Sequence, residues 1–212
     1  MDKAVLDVLT EYEARAEREF AEMAKLTWEQ IGSRIDEFLI FVGPETGRLM
    51  HMLAVAAEAR VLVEVGASYG YSTVWLADAL GDTDGHLVTL DTGASDAAQQ
   101  NLAHADAVQP GLARRVEFRQ EDGGAYLAGL GDGTVDLLFL DAERVQYPSW
   151  WPHPVRVLRR GAVLAIDNVL SHPDEVAPFL ALLAREPSLA RSTVAVGKGL
   201  HLAWAGGAGR PS

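Results

Sequence analysis

The chain has 212 residues, 49% of them apolar, which suits one globular domain with a sizeable core. A net charge of −12 with no basic stripe argues against a nucleic-acid partner, because a phosphate backbone is held by clustered Lys and Arg. The absence of cysteine removes disulfides and thiolate metal sites. No apolar run has the length of a membrane span, and Met1-Asp-Lys-Ala-Val-Leu6 lacks the basic-then-apolar order of a signal peptide, so no membrane partner and a cytoplasmic location are expected.

In chain order, residues 3 to 25 place Val5, Val8, Tyr12, Ala16, Phe20 and Met23 at three- and four-residue steps, one face of a helix. A second helix is expected over about 28–41 and, beyond the Gly43-Pro44 break, a third over about 45–59. Strands and helices then alternate. Strands near 61–66, 86–90, 115–119, 135–140 and 162–166 predict an α/β fold with a mostly parallel, doubly wound sheet. Residues 193–196 and 200–204 flank Gly197-Lys198-Gly199 as a terminal antiparallel hairpin. No repeat or interior linker divides the chain. It reads as a single domain, 1–212, with an N-terminal helical cap (1–42), a core (43–205) and a tail (206–212) expected to be disordered.

The segment Val61-Leu-Val-Glu-Val-Gly-Ala-Ser-Tyr-Gly-Tyr-Ser-Thr-Val-Trp-Leu-Ala77 reads as strand, glycine-framed turn and helix, with Ser72 or Thr73 as the helix N-cap. A dinucleotide fingerprint needs a bare backbone at its middle glycine, where the pyrophosphate comes close; here Ser68 stands between Gly66 and Gly70. Glu64 beside the turn would repel a phosphate and attract an ammonium or sulfonium. Asp91, ending the next strand, lies where an acid takes ribose hydroxyls. The implied ligand is a nucleoside with a cationic tail, a description that S-adenosylmethionine (SAM) meets.

Two further acids follow strands apolar enough to be buried: Asp141 after 135–140, and Asp167, with Asn168, after 162–166. A residue just past such a strand sits at the carboxyl edge of the sheet, where open α/β folds bind ligands. Two carboxylates and an amide there form a hard-oxygen set suited to a divalent cation such as Mg, Mn or Ca. The plainer alternative for each Asp alone is a helix cap or a solvated side chain.

From about Phe41 to Trp204 the sequence resembles the SAM-dependent O-methyltransferases of the catechol and caffeoyl-CoA type, which have a Rossmann-like class I methyltransferase fold. The matching pieces are Val42-Gly-Pro-Glu-Thr-Gly-Arg-Leu49, the block from Glu64 to Ala77, Leu90-Asp91, Phe139-Leu-Asp-Ala-Glu-Arg-Val-Gln-Tyr147, Leu158-Arg-Arg-Gly161, Ile166-Asp-Asn-Val-Leu170 and Val196-Gly-Lys-Gly-Leu200. The resemblance implies that Glu64, Gly66, Tyr71, Ser72 and Asp91 line the cofactor site, with Asp122 near the adenine. It also implies that Asp141, Asp167 and Asn168 hold the metal, Asp141 serving cofactor, metal and catalysis. The expected reaction is methyl transfer to a hydroxyl of a small aromatic acceptor with vicinal oxygens. A homodimer is expected as well, since related enzymes use the N-terminal helices to cover the site and to pair.

One position departs from the family. The lysine that serves there as general base is Arg144 here, and a guanidinium stays protonated at ordinary pH. Two rivals are therefore carried: a metal-independent methyltransferase acting on another oxygen or on nitrogen, and a non-catalytic cofactor-binding module. Trp150-Trp151 after Tyr147 is either an aromatic wall for a flat acceptor or core bulk. His172, four residues past Asn168, either faces the acceptor or is a surface loop residue.

Overall fold

A computed structural model of the chain describes residues 1–34, 38–81, 83–93 and 96–206. Its strands are β1 (Val61–Val65), β2 (His86–Asp91), β3 (Val116–Gln120), β4 (Val135–Leu140), β5 (Leu158–Ile166), β6 (Leu189–Val194) and β7 (Leu200–Ala205). They form one seven-stranded sheet in the order β3-β2-β1-β4-β5-β7-β6. The first five are mutually parallel, and β7 runs antiparallel between β5 and β6. The winding direction reverses between β1 and β4. In an open α/β sheet the crevice at the carboxyl ends of such a strand pair is the ligand site.

Alternation of side chains across the sheet explains why β4 is apolar almost throughout. Leu137 and Phe139 point to one face, with Leu62 and Ala165; Leu138 and Leu140 point to the other, with Val63, Leu164 and Ile166. The helices are α1 (Lys3–Met23), α2 (Trp28–Ser33), α3 (Pro44–Ala56), α4 (Tyr71–Ala79), α5 (Asp96–Val108), α6 (Gly123–Gly129), α7 (His153–Arg156) and α8 (Pro173–Leu183). α1, α3, α4 and α5 supply the first face through Leu9, Met50, Leu76 and Leu102; Leu127 of α6 and Phe179 of α8 supply the second.

Most expected elements form, with shifted ends. The apolar stripe of α1 is buried at Val5, Val8, Tyr12 and Ala16, while Phe20, stacked on Phe41, is 40% exposed. The second helix stops at Ser33 instead of reaching 41; of the remainder, 35–37 lie outside the described residues. Beyond them the backbone is non-helical, and the amide of Leu39 donates to the Glu19 carboxylate of α1 at 2.5 Å. β5 begins at Leu158, four residues ahead of expectation, because that residue pairs with Val135 before a register shift. β6 covers 189–194 where 193–196 was expected: its Arg191-Ser192-Thr193 stretch is exposed, so hydropathy carries no strand signal. Gly206, at the start of the expected disordered tail, donates its amide to Ser188; residues 207–212 lie outside the described residues.

Candidate active site

The turn after β1 is shaped by left-handed residues at three positions, Gly66 (φ 105°), Ser68 (φ 44°) and Gly70 (φ 76°). Gly66 passes so close to the backbone carbonyl of Asp141 that a β-carbon would overlap it, so the turn after β1 presses against the end of β4. The amides of Gly66 and Ala67 donate to the Leu90 carbonyl, and the Ser68 amide donates to Asp91 Oδ2 at 2.9 Å. Gly70 is the N-cap of α4, so the expected cap at Ser72 or Thr73 is corrected: glycine enters the left-handed region without steric cost, and the helix starts at Tyr71.

That earlier start turns Ser72 and Thr73 inward, toward Glu64. Glu64 is fully buried, and its Oε2 accepts from Thr73 at 2.6 Å and Thr89 at 2.7 Å. Burial pushes its carboxyl up to about 7, against hydrogen bonds from Ser72, Thr73 and Thr89 and with further upward push from Asp141. Oε1 is buried without a partner. A half-satisfied carboxylate of this kind fits a cationic ligand group.

A cavity of about 730 Å³ opens along the carboxyl ends of β1, β2 and β4, within the range of small-molecule sites. Gly66, Asp91, Asp122, Asp141 and Asn168 line it. Glu64, Ser72 and Asp167 lie behind that lining. Tyr71 also stands back, its hydroxyl donating to Glu13 of α1 at 2.6 Å. Asp91 Oδ1 accepts from the Gly93 amide, and Asp122 caps α6 by accepting from the Ala125 amide at 2.8 Å. Phe38 and Ile40, in the chain between α2 and α3, close one side.

At the polar end, Asp141 follows β4 and Asp167 follows β5, with the Asp167 amide donating to Leu140. Both oxygens of Asp167 are buried and unpartnered. Burial, then the neighbouring Asp141, pushes its carboxyl up to about 7, against the adjacent Asn168 backbone amide and the charges of Lys198 and Arg144. Burial also raises Asp141, opposed by the charges of Lys198 and Arg144 and by Asn168, whose Nδ2 donates to Oδ1 at 2.6 Å. Asn168 thus presents its amide nitrogen, not its carbonyl oxygen, to Asp141. Among the described residues no three His, Cys, Asp or Glu side chains cluster, so the donor set is two carboxylates and this amide. Two orphaned hard oxygens beside a second carboxylate fit a divalent cation.

Arg144 lines the cavity, but its Nε donates to Glu175 of α8 at 2.7 Å and its Nη1 to the Ala142 carbonyl at 3.4 Å. His172 lines the cavity with its Nδ1 against Ser171 Oγ at 2.9 Å. Of the three aromatics, Trp150 alone faces the cavity. Tyr147 is fully buried, its hydroxyl bonded to the amide and carbonyl of Ala142, and so braces the loop after β4. Lys198 is a cavity residue that sequence reasoning did not single out. Its position is legible once β7 is known to run antiparallel to β5, because that brings the Gly197-Lys198-Gly199 turn to the carboxyl edge.

The catechol O-methyltransferase of Mycobacterium tuberculosis is 34% identical over 131 residues, covering 62% of this chain and 58% of that protein. That of Niastella koreensis is 33% identical over 136 residues, covering 62% and 59%. The chain therefore spans 58–59% of the length of these two relatives. Among solved structures, the O-methyltransferase of Bacillus cereus in complex with S-adenosylhomocysteine (SAH) matches with a TM-score of 0.72 at 25% identity, over 97% of this chain and 91% of that one. TomG of Streptomyces achromogenes, an O-methyltransferase in complex with SAM, matches at 0.69 and 28% identity, over 98% and 91%. The O-methyltransferase family model matches residues 11–204, nearly the whole sheet and its helices, and the chain belongs to that family.

Proposed function

We propose that this protein transfers a methyl group from SAM to a hydroxyl oxygen of a small aromatic acceptor with vicinal oxygens. The observation that carries the reading is the pairing of Asp167, with its two buried unpartnered oxygens, and Asp141 at the polar end of a cavity lined by Gly66, with Glu64 buried behind it. The catechol O-methyltransferase names of two relatives support the acceptor class.

The chain's own groups have distinct tasks in this account. Gly66 lets the turn that borders the donor pack directly on the end of β4. The free Oε1 of Glu64 faces the donor's ammonium, and Asp91 takes ribose hydroxyls in addition to the two amides it now holds. Asp122 lies near the adenine, while Tyr71 and Ser72 support the turn and Glu64 from behind. Asp141, Asp167 and the Asn168 side chain would hold a divalent cation (Mg, Mn or Ca), which when bound acidifies an acceptor hydroxyl. Arg144 holds no basic lone pair, so His172 or water receives the acceptor proton. Holding oxygen and methyl in line supplies much of the rate.

A metal-independent reading is favoured by one observation: Lys198 and Arg144 already place positive charge beside both carboxylates. Calorimetric titration tests the donor assignment. SAH is expected to bind and a nicotinamide dinucleotide to give no heat; the reverse result contradicts it.

A further inference from the structure

The geometry points to Lys198, not Arg144, as the cation that meets an anionic oxygen of the acceptor and so selects it, a role that deepens the diol-acceptor reading and depends on it. Arg144 is committed elsewhere. Its Nε is taken by Glu175 and its Nη1 faces the Ala142 carbonyl, so the guanidinium is drawn toward α8 and the loop after β4. Lys198 lines the same cavity; among the described residues its ammonium makes no hydrogen bond or close ion pair, and its charge acts on Asp141 and Asp167.

The backbone fixes where that ammonium starts. Gly197 (φ 54°) and Gly199 (φ 91°) flank Lys198 in left-handed conformations. The Lys198 carbonyl accepts from the amides of Leu170 and Ser171 at 3.0 and 3.1 Å, and the Gly199 carbonyl accepts from Val169 at 3.1 Å. A β-carbon at Gly199 would overlap Leu170, and one at Gly197 would overlap Thr46. The turn is thus hydrogen-bonded to the residues that follow Asn168 on one side and packed against Thr46 of α3 on the other. A lysine held there reaches the acceptor end of the cavity beside Asp141, Asn168 and His172.

Charge balance gives this ammonium its task. Two carboxylates offset by one divalent cation leave no net charge at the acidic edge, and Arg144 is offset by Glu175. Lys198 is then, among the described cavity residues, a cation with no paired carboxylate at hydrogen-bond distance, Glu143 being a further carboxylate in the lining. An ammonium on a flexible stem is a point-charge partner for one anionic oxygen, whether an ionised ring hydroxyl or a carboxylate substituent. His172 and Glu143 also line the cavity, and neither supplies a fixed positive charge.

The test is acceptor binding, independent of turnover. The SAH complex, in buffer with magnesium at one fixed pH, is titrated with 3,4-dihydroxybenzoate, its neutral amide, catechol, and 4-nitrocatechol as an ionised diol. Lys198→Met is expected to weaken the benzoate, the nitrocatechol or both by about tenfold or more, the loss typical of a charge-assisted contact, with SAH affinity unchanged. Lys198→Arg is expected to restore most of that loss, and Arg144→Met to lose less than Lys198→Met. Loss confined to the benzoate assigns the carboxylate as the partner; loss with the nitrocatechol assigns the ring oxyanion. Lys198→Met binding all four like the wild type, losing all four equally, or losing less than Arg144→Met overturns the assignment. Wild-type protein that binds none of them contradicts the diol acceptor itself, and the assignment with it.

Discussion

Gly66 and Asp141 are in backbone contact: the space a β-carbon would take at Gly66 is filled by the Asp141 carbonyl. The turn that would receive the methyl donor and the strand end that carries the first acidic residue are therefore fixed against each other. Gly66→Ala forces both a carbonyl shift and a strained φ of 105°. A loss of about 2 kcal/mol or more in stability is expected, together with loss of SAH binding. Thermal unfolding and calorimetry check both; an unchanged midpoint with intact binding would show that the contact carries no constraint.

Asp91 has two tasks, since its carboxylate holds the Ser68 and Gly93 amides and faces the cavity. Asp91→Ala should weaken SAH binding by about 1.5 to 3 kcal/mol, the cost of losing charge-assisted hydrogen bonds. Asp91→Asn keeps one acceptor oxygen and should lose less. Equal losses in the two variants would show that the turn, and not the hydroxyl contact, depends on Asp91.

The buried acids give a pH dependence of definite sign. Glu64 and Asp167 have carboxyls raised to about 7, so between their unfolded values and that pH the folded state binds more protons than the unfolded one. Stability of the ligand-free protein should therefore rise as pH falls from about 8 through 7 toward 6, the reverse of a salt-bridged carboxylate. SAH affinity should move the other way, weakening below about pH 7 as Glu64 loses its charge. Glu64→Gln, which keeps the acceptor oxygen for Thr73 and Thr89, should flatten part of the stability trend. A wild-type midpoint that falls on acidification from pH 8 to 6 contradicts the raised values.

Arg144→Lys tests the position at which the resemblance leads one to expect a lysine. A lysine whose pKa is lowered by its neighbours can act as a base, so activity on simple catechols should be kept or raised. Glu175 complicates the exchange, because its ion pair with Arg144 would hold a lysine protonated. The double variant Arg144→Lys, Glu175→Gln should then exceed the single one in kcat. Equal kcat in both would show that the ion pair does not restrain the group.

Much of this was legible in the sequence where burial and period agree. β4 is buried at all six positions, and Asp141 and Asp167 stand where apolar runs end, so both acids fall at the sheet edge as expected. The helix start at Tyr71 was missed because an N-cap preference for Ser and Thr competes with a left-handed glycine, and the glycine prevailed. Tyr71 and Ser72 consequently support the site from behind instead of lining it. β6 was misplaced because an exposed strand need not be apolar. The local pattern around Lys198 signals a hairpin turn, which it is; its approach to Asp141 depends on β7 inserting beside β5, a pairing that no local pattern encodes.

Metal-assisted methyl transfer is tested most directly by following labelled methyl from SAM onto catechol by the purified protein, with and without chelator. The account predicts methylated product with magnesium, none after chelation, recovery on adding magnesium or manganese, and an Asp167→Ala variant that still binds SAH but makes no product. Full turnover in chelator, or wild-type protein that binds SAH yet methylates no diol in the presence of metal, would contradict it.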